Sequence, residues 1–112
     1  MDCAFCKIAS GEIPSKKAYE DDEILAFYDL QPQAPVHILL IPKKHIGSAT
    51  EITPENSAIV AHIFEVAARL AKEKKLDGGY RIVCNVGADG GQTVPHLHFH
   101  LLGGRSMKWP PG

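Results

Sequence analysis

Residues 95–101 read PHLHFHL, which sets an imidazole at every second position, His96, His98 and His100, with Leu97, Phe99 and Leu101 between and after them. Successive side chains of a strand point to opposite faces, so the histidines share one face and the apolar residues the other. A merely solvated face would be served equally well by threonine, lysine or glutamate. Imidazole differs from those groups in being partly unprotonated near neutral pH and in ligating metals. Two chemistries follow. Alternate histidines can converge on zinc, with a water in the open position, to make a hydrolytic site. The outer α-carbons of three strand positions lie about 13 Å apart, however, so two ligands to one ion are easier to arrange than three. In the other chemistry one neutral imidazole attacks an electrophilic phosphorus while its neighbours supply orientation and protons, and the adduct breaks down once its ring nitrogen is protonated.

The segment upstream, VGADGGQTVP, favours the phosphorus reading. A glycine-rich loop exposes backbone amides that can hold phosphate oxygens, and Gln92 and Thr93 add side-chain donors. Both could instead simply close the loop. The loop runs from an expected strand, YRIVCN, in which Cys84 reads as a core residue. VHILLIP, β-branched and apolar between Pro35 and Pro42, predicts a central strand covered on both faces, with His37 on the face of Leu39 and Ile41. Lys17 to Glu20 and Glu23 to Asp29 predict a hairpin closed by the acidic turn DDE, with Asp29 placed to satisfy turn amides. A short helix is expected through Cys3 to Ser10, capped by Asp2 and ended by Gly11. Thr53 as N-cap and Pro54 at the first helical position predict a long helix with Ile59, Ile63, Val66 and Leu70 on its core face. Lys72, Lys74 and Lys75 suit its negative end, and DGG stops it. His62, beside Glu65 and Arg69 at the edge of the polar arc, reads as a surface residue. One short helix, one long helix and five strands make an α+β domain with a mostly antiparallel sheet.

The chain has 112 residues, 45% of them hydrophobic, which fits one domain over 1–112. A net charge of -1 with scattered lysines and acids argues against a nucleic-acid or membrane surface as partner. No apolar run reaches membrane-spanning length, and the start MDCAFCKIASG lacks a signal-like core, so a cytoplasmic protein is expected. Three cysteines cannot all pair, and in a reducing cytosol they are expected as thiols. Cys3 and Cys6, three apart on the short helix, would point one way, either as two metal ligands or as small hydrophobes under the sheet. An exposed Trp109 in a proline-rich tail is odd on a monomer surface and suggests packing across a dimer.

HLHFHLL resembles the histidine triad pattern. The stretches EIPSKKAYEDDEILAFYDLQPQAPVHILLIPKKHI and NVGADGGQTVPHLHFHLLGGR and the tail MKWPPG extend the resemblance to the Hint branch, the histidine triad nucleotide-binding proteins, over nearly the whole chain. The resemblance implies a HIT-like fold whose two copies pair into a continuous sheet, with tail 105–112 at the dimer interface near the partner's active site. It implies hydrolysis of adenosine or guanosine 5'-phosphoramidates through a nucleotidyl-histidine intermediate, with no cofactor in the reaction. On that matching His98 is the nucleophile, His96 orients it, His100 contacts phosphate and leaving group, and His37 completes the cluster. Asn85, Gly91, Gln92, Thr93 and Val94 correspond to the phosphate loop and Asp29 to the ribose carboxylate. Phe5, Ile8, Ile13, Phe27 and Leu30 correspond to the purine pocket, and Trp109 lies close to the substrate site. Some members carry zinc on a set matching Cys3, Cys6, His45 and His96 while others lack it; a closed four-ligand site of that kind would be structural. The rivals are a nucleotide-binding scaffold with incidental hydrolysis and a dinucleoside polyphosphate hydrolase of the Fhit type. The WPPG tail and short length favour Hint over Fhit.

Overall fold

The computed structural model describes residues 3–112. Its elements are α1 (Ala4–Ser10), β1 (Lys17–Glu20), β2 (Ile24–Tyr28), β3 (Val36–Pro42), a single 3-10 turn at Ala49–Glu51, α2 (Ala58–Glu73), β4 (Tyr80–Val83) and β5 (Phe99–Gly103). The strands form one open sheet in the order β1-β2-β3-β5-β4, every neighbouring pair antiparallel. The expected α+β architecture of two helices on a five-stranded antiparallel sheet is therefore what the chain adopts.

Alternation along the strands divides the interior into two layers. On one face Ile24, Ala26, Ile38, Leu40, Leu97, Phe99 and Leu101 meet Ile63, Val66, Ala67 and Leu70 of α2. Ile63, Val66 and Leu70 are no more than 1% exposed, and each contributes about 1.5–3 kcal/mol by leaving water. On the other face Leu25, Phe27, Leu39 and Ile41 pack against Cys3 and Phe5, so the short helix α1 covers this side. The register sets Phe27 beside Leu39 and Leu39 beside His100, which carries the histidine face onto the α1 side of the sheet.

Local chemistry corrects several expected boundaries. α2 begins at Ala58 after Ser57, not at Thr53 and Pro54. Asn56 Oδ1 accepts from Thr53 N at 2.7 Å, and Asn56 N and Ser57 N both donate to Thr53 O, so residues 53–57 form a capped turn that leads into the helix. The cap residue of α1 is Cys3, whose Sγ accepts from Cys6 N at 3.3 Å; the expected cap, Asp2, lies outside the described residues. Gly11 ends α1 as expected, at φ 88°, donating to Ile8 O. β4 stops at Val83, short of Asn85, and β5 starts at Phe99, so His96 and His98 precede the ladder that holds His100. Among the described residues no helix is long and apolar enough to cross a membrane.

Candidate active site and candidate metal centre

Between α1 and the sheet lies a cavity of about 340 Å³. Phe5 and Ile8 come from α1, Phe27 and Leu39 from the sheet, and Ile13 and Val94 from loops, giving apolar walls. Asp29, Leu30, Thr93, His98 and His100 border the same space. Phe5 meets the His98 ring edge to face at 5.1 Å between centroids and Phe27 at 5.6 Å, so the helix wall and the histidine segment brace each other.

The hydrogen bonds settle where the ring protons sit. His98 Nδ1 lies 2.6 Å from His96 O. A carbonyl only accepts, so Nδ1 carries the proton and Nε2 is the basic nitrogen of the neutral ring. His37 Nδ1 accepts from the backbone N–H of Gln33 at 3.0 Å, which puts its proton on Nε2. That Nε2 lies 2.9 Å from His100 Nδ1 and donates to it, leaving the proton of His100 on Nε2. Burial pushes His100 down to about 4, with the neighbouring His98 and His37 adding to the effect. His37 is also held low by burial, against the pull of Asp29. Asp29 Oδ1 closes a turn by accepting from Gln31 N at 2.7 Å, as its strand-end position suggested, while Oδ2 stands 3.5 Å from His37 Nε2.

Among the described residues, two groups of side chains have donor atoms gathered within 4.8 Å of one another. Asp29, His37 and His100 form one. It does not suit a divalent ion, because the Gln33 N–H occupies the Nδ1 lone pair of His37 and leaves a proton on the nitrogen that would have to ligate. Cys3, Cys6, His45 and His96 form the other, and here the donors fit. His96 Nε2 donates to Pro42 O at 2.8 Å, which turns a bare Nδ1 toward Cys3 Sγ at 3.3 Å and Cys6 Sγ at 3.5 Å. His45 Nδ1 lies 3.2 Å from Cys6 Sγ. Tetrahedral zinc with two thiolates and two imidazoles requires S···N edges of about 3.5 Å. Burial pushes the fully enclosed His96 below its ordinary value, against the hydrogen bond to Pro42 O. Burial and the adjacent Cys3 push the Cys6 thiol up, an effect that a cation between the sulfurs would reverse.

Of the residues singled out in the sequence, Phe5, Ile8, Ile13, Phe27, Asp29, Leu30, Thr93, Val94, His98 and His100 border the cavity. His37 stands behind His100, and His96 belongs to the cysteine cluster. Asn85, Gly91, Gln92 and Trp109 do not border it. Asn85 Nδ2 donates to Gly90 O at 2.6 Å. Gln92 Nε2 donates to Gly47 O and Val94 O, and its Oε1 accepts from Gly87 N, so its polar atoms staple the loop. Gly91 holds φ 79°, a left-handed turn that favours glycine. His62 is more than a surface residue: its Nε2 sits 2.6 Å from Asp21 Oδ2, tying α2 to the turn between β1 and β2. Cys84 is half-buried and packs against the α2-side core. Ser15 and Lys16 border the cavity without having been singled out, and the amide of Gln33 orients His37. A backbone donor leaves no residue-type signal, and a serine after a proline reads as an ordinary turn.

Comparison with known proteins agrees with this geometry. The model of the HIT domain matches residues 10–107, and the chain belongs to the HIT family. A crystal structure of a HIT family hydrolase from Legionella pneumophila superposes with a TM-score of 0.97 at 53% identity, covering 99% of this chain and 100% of that one. The histidine triad nucleotide-binding protein of Candida albicans is similar at 37% identity and a TM-score of 0.82, over 97% of this chain and 83% of its own. A 14 kDa zinc-binding protein of Brassica juncea is 50% identical over 99% of this chain and 100% of its own length.

Proposed function

We propose that the protein hydrolyses the P–N bond of purine nucleoside 5'-phosphoramidates, adenosine or guanosine monophosphate joined to an amine, in the manner of the Hint branch. The observation that carries this reading is the bond from His98 Nδ1 to His96 O, which leaves Nε2 as the nucleophilic nitrogen of a ring bordering the cavity. Nε2 attacks the α-phosphorus, the P–N bond of the substrate breaks, and the amine departs with a proton drawn from the medium, because an amide anion is a very poor leaving group. Water then attacks the nucleotidyl adduct, the P–N bond to His98 breaks, and the nucleoside monophosphate leaves with the ring restored. His100, neutral and carrying its proton on Nε2, donates to the phosphoryl oxygens or the departing nitrogen, and His37 holds it in that tautomer. Phe5, Ile8, Ile13 and Phe27 supply apolar area for the base, and Asp29 keeps Oδ2 for the ribose. Asn85, Gly91 and Gln92 shape the loop from which Thr93 and Val94 meet the phosphate.

Zinc on Cys3, Cys6, His45 and His96 would be structural, with four protein ligands and no open position. Its chemistry there is to cross-link α1, the loop after β3 and the segment before β5. We read the whole chain as one domain that pairs through β4, an edge strand that starts at exposed Tyr80, with Phe64 and Val86 as further exposed apolar groups. Arg81 of β4 donates to Lys108 O and Pro111 O, which lays tail 105–112 along that edge and leaves Trp109 85% exposed for the second copy. Mass spectrometry of a quenched reaction with adenosine 5'-phosphoramidate tests the central claim. A nucleotidyl group on the peptide containing His98 is expected, and steady turnover without any such adduct overturns it.

A further inference from the structure

Among the described residues, one buried side-chain polar atom has no hydrogen-bond partner: Ser15 Oγ. Buried hydroxyls are nearly always paired, because an unpaired one retains the cost of its lost hydration. Ser15 borders the cavity, and so does Asp29.

The register relates the two. Lys17 pairs with Phe27, and Tyr28 N donates to Lys16 O at 3.0 Å. Continuing the same antiparallel register by one residue sets Ser15 opposite Asp29. Since Lys16 and Tyr28 are the hydrogen-bonded pair, Ser15 and Asp29 form a non-hydrogen-bonded pair, in which side chains stand closest, with β-carbons about 5 Å apart. Asp29 spends Oδ1 on Gln31 N, while Oδ2 accepts no hydrogen bond among the described residues and stands 3.5 Å from His37 Nε2. The cavity rim thus carries a carboxylate oxygen, which only accepts, beside a hydroxyl, which donates and accepts. No hydrogen bond holds Ser15 in its present rotamer, so turning about χ1 toward the cavity breaks none.

We propose that Ser15 is a specificity-determining residue that reads a ribose hydroxyl together with Asp29, so that the site selects ribonucleotides over deoxyribonucleotides. A cis-diol presents two adjacent hydroxyls, each able to donate and accept. A lone carboxylate oxygen satisfies one of them, and the serine supplies the partner for the other. An unpaired hydroxyl in the free protein is then the binding group of a site awaiting its ligand, and loss of the matching ligand hydroxyl leaves Ser15 unpaired in the complex as well.

The inference rests on the nucleotide reading above, and calorimetric titration separates the two. Wild-type protein and Ser15→Ala are each titrated with AMP, 2'-deoxy-AMP and 3'-deoxy-AMP. The expected result is about fivefold to tenfold weaker AMP binding by the variant, with one of the two deoxynucleotides bound equally by both proteins. Because Oγ has no partner, the melting temperature of Ser15→Ala should equal or exceed that of wild type, and Ser15→Thr, which keeps the hydroxyl, should restore AMP binding to within about threefold of wild type. Undiminished AMP affinity in Ser15→Ala overturns the proposal, and so does an equal loss for all three ligands or a lowered melting temperature. A wild-type protein that binds no AMP sinks the nucleotide reading itself.

Discussion

His96 holds His98 by its backbone and faces the cysteines by its side chain: its carbonyl oxygen lies 2.6 Å from His98 Nδ1, and its own Nδ1 lies 3.3 Å from Cys3 Sγ. The two tasks use different atoms and so separate experimentally. His98→Ala removes the nitrogen proposed to attack, and on that proposal hydrolysis of adenosine 5'-phosphoramidate should fall by about three orders of magnitude or more, with AMP affinity within a few fold of wild type. His96→Ala keeps the carbonyl acceptor and should leave measurable turnover while abolishing zinc retention. Steady-state rates, AMP titration and elemental analysis on the two variants check this. Comparable turnover in wild type and His98→Ala would remove His98 from the role of nucleophile.

Burial of imidazoles predicts an acid-sensitive fold. His100 titrates at about 4 in the folded chain because burial, reinforced by His98 and His37, disfavours its cation. In the unfolded chain it returns to about 6.5. Between those values the unfolded state binds more protons, so stability falls as pH drops from about 6.5 toward 4 and has no further loss from this group below that. His100→Gln should show a smaller drop in melting temperature between pH 7 and pH 5 than wild type, measured by scanning fluorimetry at fixed protein concentration. Equal drops in the two proteins would show that His100 is not the group responsible.

Features written in residue pattern were legible in the chain, while features set by which polar atoms pair in the folded chain were not. Alternation at Leu97, Phe99 and Leu101 announced a core face, and the sheet strands and α1-side histidine face followed from the same rule. The start of α2 lies at Ala58, one capped turn beyond Thr53, although Thr53 and Pro54 satisfy the local helix-start rule. His62 looked like surface because Asp21, its partner, lies 41 residues away. Gln92 read as a donor from its residue type and Asn85 from the resemblance, and neither announced the bonds each makes to loop carbonyls. The proton arrangement of His37 and His100 depends on one backbone amide, Gln33, which any non-proline residue would provide.

The cysteine cluster predicts a metal-dependent stability. Purified protein should carry about one zinc per chain on a four-ligand site. With free zinc held at 100 times its dissociation constant, binding to the folded state adds about 2.7 kcal/mol, and a strong chelator should lower the melting temperature by roughly 10 °C. Cys3→Ala should abolish both the zinc and the response to chelator. Thiolate ligands release protons on binding, so zinc retention should weaken as pH falls. If the melting temperature of zinc-loaded protein does not respond to chelator, the cross-linking role assigned to the cluster is wrong.

The link between α2 and the β1–β2 turn should impose an opposite pH dependence. His62 Nε2 meets Asp21 Oδ2 at 2.6 Å, and the Tyr19 hydroxyl donates to the same oxygen at 2.8 Å. The Asp21 hydrogen bond raises His62, with burial opposing and Glu65 assisting. For Asp21, burial acts upward but is outweighed by bonds from His62, the amides of Ile24 and Glu23, and Tyr19, which hold its carboxyl well below the usual range. A raised histidine contributes stability that is fully present below its unfolded value of about 6.5 and is lost as pH rises through the folded value. A depressed aspartate contributes stability that is present above about 3.9 and is lost as pH falls through its own folded value. The pair is therefore at full strength between about pH 4 and pH 6.5. The pair is partly exposed, so His62→Gln should cost about 0.5–1 kcal/mol at pH 5.5, a shift of roughly 2–5 °C, and less at pH 9. Denaturant titrations of both proteins at the two pH values measure the difference; a cost that stays constant or grows toward pH 9 contradicts the ion pair and leaves His62 as packing alone.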